Sequence, residues 1–270
     1  MNEKKEQKII VFITFTPADK SLILNGIKLA SVFKKELCLV YRLNYKNSKQ
    51  SEAFKNKLAE YTIPLKKEIP ALKISILLIQ ENLREVPDIL ADDYEAILFV
   101  ADAGQFKKFS KALTESPVPF LFVHSESPVS SFKNIIFPID LRKENSDSTL
   151  WSSWFGRFNQ SEIIAIAANE KNKESQKQIA RNVSLAKKLY LKFNIKHKMF
   201  KGQKSSLQNS FEALEFALSE KADLLILLGS SVITPLDWLI GLPERKIIRN
   251  SGKLPVLLVN PRRDNYILCD

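Results

Sequence analysis

The sequence has few cysteines and histidines. Cys38 and Cys269 are its only cysteines, and their separation matches no metal-binding or redox motif. His124 and His197 are its only histidines, and neither lies near a cysteine, a serine elbow or an acidic motif at catalytic spacing. We therefore expect a protein of a reducing, cytoplasmic compartment that is not an enzyme and holds no metal.

Long apolar runs and a phosphate-binding P-loop are also absent. No apolar stretch reaches 18 residues, and the first eight residues are polar, so we expect no signal peptide, membrane span or membrane partner. No Gly-x4-Gly-Lys-Ser/Thr loop is present, which argues against a P-loop NTPase. With 45% hydrophobic and 26% charged residues, the 270-residue chain is long enough for two packed domains.

The net charge of +11 raises the question of nucleic-acid binding. The excess is about +3 in residues 1–131 and about +8 in the remainder. The lysines are spread along predicted helices, and no zinc finger, helix-turn-helix or aromatic-basic RNA motif accompanies them. Solvated helix faces explain the charge better, and nucleic-acid binding is kept as a distant alternative.

The pattern of apolar runs predicts two copies of one α/β domain. Continuous Val/Ile/Leu runs alternate with amphipathic stretches, which is typical of a parallel sheet covered by helices on both faces. We predict domains over 1–127 and 132–264, each with a five-stranded Rossmann-like sheet. The predicted strands are 9–15, 37–41, 72–79, 96–100 and 118–123, then 134–140, 162–167, 195–200, 224–229 and 255–259.

The two copies differ in length at one place. The predicted fourth strands lie about 128 residues apart and the fifth strands about 136 apart, so the second copy has about eight more residues in this link. The link lies at the carboxyl edge of the sheet, where doubly wound folds bind ligands. The copies therefore differ where a ligand would bind.

The second copy resembles the universal stress protein family. The resemblance rests on Phe137-Pro-Ile-Asp140, on Ala222 to Gly229 as a strand ending in glycine, on Gly241 opening the last helix, and on Leu254-Pro-Val entering the fifth strand. With the weaker first copy included, it covers essentially the whole chain. It implies a tandem adenine nucleotide α-hydrolase-like fold, pairing of the two halves through their fifth strands, and homodimerisation.

The resemblance also implies a nucleotide site in the second half. Members that bind ATP with magnesium hold the adenine near the positions matched by Asp140 and by Ala165 to Ala167, and wrap the phosphates in a glycine loop. The residues matched to this site are Asp140, Ala167, Gly229, Ser230, Ser231, Gly241 and Leu242. Several depart from the family pattern: Leu242 replaces a hydroxyl residue, and Pro243 removes an N–H donor.

The first copy departs further. Thr14 stands where the aspartate is expected, and Gly104 is the only glycine after the fourth strand. A structural role is expected for this half.

Each candidate residue also has a structural interpretation. Asp140 could be a helix cap or turn residue, and Ser230 and Ser231 could form a plain turn. Arg245, Lys246 and Arg249 could reach a phosphate or form a solvated stripe. Trp151 and Trp154 are expected in a core or a dimer face.

Two hypotheses follow from these residues. One is a non-enzymatic stress-response or regulatory protein with at most weak ATP or adenine-nucleotide binding in its C-terminal half. The other is an interaction scaffold that has lost the ligand and works through surfaces such as residues 233–242. This segment could be a helical lead-in that packs across the pocket, or its Trp238 could fill the vacated nucleotide space or form an exposed contact for a partner.

Overall fold

A computed structural model describes residues 6–43, 50–230 and 242–260. The chain divides into two compact units, with the division between Val129 and Ser130. Each unit carries a five-stranded parallel sheet flanked by helices. The predicted fold class is therefore confirmed.

The first unit begins with a strand and alternates strands with helices. Its elements are β1 (Lys8–Phe12), α1 (Ala18–Phe33), β2 (Glu36–Arg42), α2 (Ser51–Glu68), β3 (Ile74–Ile79), α3 (Val86–Asp92), β4 (Ala96–Asp102), α4 (Phe106–Leu113) and β5 (Phe120–Val123). The strand order is β3-β2-β1-β4-β5, and neighbouring strands run parallel. The chain order reverses between β1 and β4, which is the topological switch point of the unit.

The second unit repeats this plan. Its elements are β6 (Asn134–Ile139), α5 (Asn145–Asn159), β7 (Glu162–Ala167), α6 (Lys173–Lys192), β8 (His197–Lys201), α7 (Asn209–Ser219), β9 (Leu224–Leu228), α8 (Pro243–Asn250) and β10 (Val256–Val259). The strand order is β8-β7-β6-β9-β10, again parallel, so the switch point lies between β6 and β9.

The central strands form the cores because both of their faces are covered by helices. Ile9, Ile10 and Val11 of β1 are fully buried, as are Leu224 and Leu225 of β9. Removing such side chains from water is the main favourable term in folding, about 1.5–3 kcal/mol for each. In the first unit, Phe12, Phe99, Phe109 and Phe120 pack together, with ring centroids 4.8–6.2 Å apart.

Three details differ from the sequence-based expectations. Helix α4, with Phe106, Phe109 and Leu113 buried, lies in a link for which no helix was predicted. The edge strands β3 and β8 are only partly buried, because no strand of their own unit covers their outer side. Finally, β3 begins at Ile74, two residues after the predicted start at 72.

The length difference between the copies is confirmed. From Ala96, the start of β4, to Phe120, the start of β5, there are 24 positions, whereas 32 separate Leu224 and Val256. The predicted interaction segment 233–242 falls almost entirely in this link. Of that segment the structure describes only Leu242, which is buried.

Candidate functional site

Asp140 lies at the carboxyl end of β6, beside the switch point, and is 5% exposed. The β6–β9 pairing covers only Ile135 and Ile136, and Pro138, which has no N–H to donate, follows two residues later. Backbone pairing therefore joins the first residues of β6 and β9 but not their carboxyl ends. This is the position at which doubly wound sheets accept a ligand.

Both oxygens of the Asp140 carboxylate accept hydrogen bonds from residues of the same unit. Its Oδ2 accepts hydrogen bonds from Arg142 Nε at 2.9 Å and from Arg142 Nη2 at 2.6 Å. Its Oδ1 accepts from the Arg142 backbone N–H at 2.8 Å and from Asn145 Nδ2 at 2.8 Å. A forked, charge-assisted contact of this kind is among the stronger pairings available to a carboxylate.

Arg142 also reaches the other side of the switch point. Its Nη1 donates to the carbonyl oxygen of Gly229, the residue after β9, at 3.0 Å. One guanidinium therefore joins the ends of β6 and β9 across the crevice. We call the contact of Arg142 with Asp140 and Gly229 the arginine bridge.

Buried asparagines hold the backbone of the arginine bridge. Asn182, on α6, donates from Nδ2 to the carbonyl oxygens of Asp140 at 2.9 Å and Arg142 at 3.0 Å. Asn145 donates to the same two carbonyls at 3.2 and 2.5 Å. Because buried carbonyls are costly to leave unpaired, these amides fix the turn that aims Arg142 at Asp140.

Ala167 ends β7, and its carbonyl oxygen accepts a hydrogen bond from the Gly202 N–H at 2.7 Å. Gly202 fits because a Cβ there would lie 3.1 Å from that same oxygen and 2.6 Å from Glu212 Oε2. Beside it, Asn209 Nδ2 donates to the carbonyl oxygens of Ile139 and Ile166 at 3.0 Å each. The ends of β6 and β7 are thus capped from within the unit.

On the other side of the crevice, Gly229 lies against the end of β10. Its N–H donates to the Val259 carbonyl oxygen at 2.7 Å, and a Cβ would lie 2.9 Å from Asn260 Oδ1. Gly229 is therefore required for close packing of the two strand ends.

Ser230 connects this turn to the last helix. Its hydroxyl donates to Glu244 Oε1 at 2.7 Å, and Glu244, in the first turn of α8, is 5% exposed. A helix N-terminus attracts negative charge, and here the Glu244 carboxylate lies at that end of α8. A phosphate approaching this helix end would meet a carboxylate.

The structure thus brings Asp140 and Gly229 together through Arg142, and joins Ser230 to the helix that follows Leu242. Leu242 is buried at the N-terminal boundary of α8. Ser231 and Gly241 lie outside the described residues. Sequence reasoning did not identify Arg142, Asn145, Asn182 or Glu244. Asn145 and Glu244 lie at the starts of helices, a place that could have pointed to them, whereas Asn182 lies in the middle of α6.

Other candidates of the second unit have structural roles. Arg245, Lys246 and Arg249 are exposed, whereas Ile247 and Ile248 are buried, as expected for a solvated stripe. Trp151 and Trp154 are buried and pack edge to face at 4.6 Å. His197 Nδ1 lies 2.8 Å from the Ile195 carbonyl oxygen, and its ring packs on Tyr190.

Side chains at the equivalent edge of the first unit contact one another. The N–H and hydroxyl of Thr14 donate to Asp19 Oδ1 at 2.8 and 2.7 Å, and the Tyr61 hydroxyl donates to Asp19 Oδ2 at 3.2 Å. Phe15, in a left-handed backbone conformation with φ 54°, packs 4.5 Å from Tyr41. Beside this aromatic contact lies a cavity of about 370 Å³, lined by Thr16, Pro17, Asp19, Lys20, Ile23, Leu24, Tyr61 and Leu65.

Two general features concern metals and membranes. Across residues 6–43, 50–230 and 242–260, no group of three histidine, cysteine or acidic side chains is placed to hold a metal ion. Among the helices in those ranges, none combines the length and the apolar character that a membrane crossing requires.

Comparison with solved structures gives full-length matches. A universal stress protein from Archaeoglobus fulgidus DSM 4304 superposes with a TM-score of 0.70 at 11% identity, covering 97% of this chain and 98% of that one. A functionally unknown protein from Pseudomonas aeruginosa PAO1 gives 0.62 at 14% identity, covering 95% and 93%. The cytoplasmic domain of a prokaryotic cation chloride cotransporter gives 0.60 at 11%, covering 96% and 98%.

Sequence comparison adds nothing to these structural matches. No protein-family profile matches the chain, and no curated protein does. At these identities the structural matches establish the fold alone, and proteins with different roles share it. The chain has the fold of the universal stress proteins, in the tandem arrangement that the sequence resemblance implied.

Proposed function

We propose that the chain is a non-enzymatic stress-response or regulatory protein whose second unit binds adenine nucleotide weakly at most. The arginine bridge is the observation that carries this proposal. Asp140, the residue matched to the adenine contact, already accepts four hydrogen bonds from Arg142 and Asn145. A nucleotide would have to displace a forked ion pair before it could use this carboxylate.

The surroundings of the glycine loop support the same proposal. Ser230 is bonded to Glu244, so a hydroxyl that could face a phosphate is used internally. Glu244 adds negative charge where a phosphate would approach α8, and Pro243 offers no N–H at its first position. Each change disfavours an anionic ligand. We infer that the protein acts by binding a partner through its surface. Its cytoplasmic location is a prediction from composition.

A nucleotide sensor is the second candidate function. One observation favours it: the Arg142 side chain is 36% exposed, so a phosphate could reach its guanidinium from solvent. If so, Arg142 would be a phosphate ligand, and its removal would weaken binding. Arg142 therefore helps to bind the ligand in the sensor hypothesis, whereas in the first proposal it obstructs the site.

Isothermal titration with ATP and magnesium tests the proposal. We expect the wild-type protein to show no saturable binding up to about 1 mM ATP, equivalent to less than about 4 kcal/mol of binding free energy. Submillimolar binding that is lost in both Arg142→Ala and Asp140→Ala would contradict the proposal and establish the sensor. Arg181→Ala, an exposed arginine on α6, is the matched control for removing one positive charge.

A further inference from the structure

The strongest concentration of charge in the chain lies on α6 and β8. Residues 171–204 contain ten lysines and one arginine against a single glutamate, Glu174, which gives this segment a formal charge of +10. The whole chain carries +11, so this segment accounts for nearly all of the excess. The surplus is thus concentrated in one stretch of the chain rather than divided evenly along it.

The charges of α6 lie on one face of the helix. Its buried residues are Ile179, Asn182, Ala186 and Tyr190. At 100° per residue, its basic residues fall on the opposite side, and all six are exposed: Lys173, Lys177, Arg181, Lys187, Lys188 and Lys192. The helix therefore presents a cationic stripe to solvent.

Apolar side chains interrupt this stripe at its C-terminal end. Leu191 is 63% exposed and Leu185 is 50% exposed. In helix geometry Leu191 neighbours Lys187 and Lys188, four and three positions earlier. Single exposed leucines are common on protein surfaces, so their significance depends on the aromatic side chains that lie beside them.

The end of α5 adds to the same surface. The Arg157 guanidinium lies over the rings of Phe158 and Phe193, 5.1 and 4.3 Å from their centroids, and Lys192 Nζ lies 5.6 Å from the Phe193 centroid. Phe158 is 41% exposed and Phe193 36%. We call the cluster of Arg157, Phe158, Lys188, Leu191, Lys192 and Phe193 the basic tip.

The basic tip lies at the end of the unit opposite the arginine bridge. Helices α5 and α6 run back along the sheet, so their C-terminal ends lie at its amino edge, whereas Asp140 and Gly229 lie at its carboxyl edge. Binding at the tip is therefore independent of whether the crevice accepts a nucleotide.

We propose that the basic tip binds the surface of an anionic lipid bilayer. Lysines near such a surface attract its headgroups, and exposed Leu and Phe side chains enter the boundary between headgroups and acyl chains. The absence of a spanning helix among the described residues does not bear on surface binding. Nucleic acid fits less well, because the exposed Leu191 side chain has no counterpart in a base or phosphate.

Cosedimentation of the full chain with vesicles tests the proposal. The probes are vesicles of about 30% phosphatidylglycerol in phosphatidylcholine, and pure phosphatidylcholine. We expect binding only to the anionic vesicles, weakened by about 0.5 M salt. Lys188→Glu with Lys192→Glu should lower the partition coefficient at least about 20-fold, since each basic residue near the surface changes it about fivefold.

Matched variants distinguish vesicle binding by the basic tip from effects of net charge or of exposed hydrophobic side chains elsewhere. Lys66→Glu with Lys67→Glu, exposed on α2, makes the same change of net charge and should retain most of the binding. Leu191→Ser with Phe193→Ser should lower binding at constant charge, whereas Leu207→Ser with Leu218→Ser, also exposed, should not. Thermal melts verify that each variant is folded.

Three outcomes would overturn the proposal. The first is no binding to anionic vesicles at about 1 mM lipid. The second is an equal loss of binding in the Lys66/Lys67 control, which would show that net charge alone acts. The third is salt-sensitive binding of a DNA oligonucleotide of about 20 bases without vesicle binding, which would assign the surface to nucleic acid.

Discussion

Arg142 Nη1 lies 3.0 Å from the carbonyl oxygen of Gly229, so one side chain from the turn after β6 reaches the end of β9. The Nε and Nη2 atoms of the same guanidinium both donate hydrogen bonds to one oxygen of Asp140, Oδ2. Ligands of doubly wound sheets bind between these two strand ends. In this chain a salt bridge joins the ends, which makes the arginine bridge both a structural element and an obstacle to a ligand.

The pair Asp140–Arg142 should be strongly coupled. Asp140→Ala removes a buried carboxylate and leaves Arg142 without its partner, so we expect a loss of about 2–3 kcal/mol in the free energy of unfolding. Urea unfolding of both single variants and the double variant gives the coupling energy, which should exceed about 1 kcal/mol.

The exposed pair Arg84–Glu115 is the control for this cycle. Its side chains are 61% and 46% exposed, so solvent screens their attraction and the coupling should be much smaller than that of Asp140–Arg142. Equal coupling in the two pairs would contradict the structural role assigned to the arginine bridge.

Cys38 should be unreactive in the folded protein. Burial raises the pKa of its thiol from 9.0 to about 11, so at pH 8 only about one molecule in a thousand carries the reactive thiolate. In a Cys269→Ser background, an aromatic disulfide reagent should modify Cys38 only after denaturant is added. Rapid modification under native conditions would contradict the burial of Cys38.

The same shift predicts a pH dependence of stability. The folded state favours the neutral thiol, so its contribution is complete below pH 9, where the unfolded thiol is also neutral. As the pH rises from 9 to 11, only the unfolded state loses the proton, and about 2–3 kcal/mol should be lost. Subtracting the profile of Cys38→Ala removes the titration of lysines and tyrosines, and a flat difference would refute the prediction.

Gly26 should not accept a side chain. It lies on α1 against the sheet, where a Cβ would collide with Val11 Cγ2 and lie 3.1 Å from Leu37 Cδ1. Although alanine favours a helix by about 1 kcal/mol, overpacking costs about 1–3 kcal/mol, so Gly26→Ala should be destabilising by about 1–2 kcal/mol. Ser31→Ala, exposed on the same helix, should change the free energy of unfolding by less than about 0.5 kcal/mol.

Sequence reasoning located the strands because their apolar runs are continuous, and it placed Asp140 and Gly229 at the ends of two of them. Arg142 could not be identified in this way, since an arginine after a strand is usually solvated and one of its two contacts is with Gly229, 87 positions away. Asn182 was hidden for the same reason, 42 positions from Asp140. Helix α4 did leave a signal, with Phe106, Phe109 and Leu113 at helical spacing.

The charge surplus shows a related limit. Net charge and its division between the two halves suggested solvated helix faces. The run of lysines in residues 171–204 is visible in the sequence, but its placement on one exposed face follows only from the buried positions of α6 and from the contact of Arg157 with Phe193. The contacts of Arg142 with Gly229 and of Arg157 with Phe193 both join residues that are distant in sequence, so neither the arginine bridge nor the basic tip could be identified from the sequence alone.

The most direct test of the arginine bridge is the NMR signal of the Arg142 side-chain Nε–Hε group during titration with ATP and magnesium, assigned by its loss in Arg142→Lys. We predict a signal protected from solvent exchange and unchanged at about 5 mM ATP, because Asp140 Oδ2 continues to accept this N–H. A saturable shift of this signal at submillimolar ATP would contradict the account and show that a nucleotide displaces the bridge.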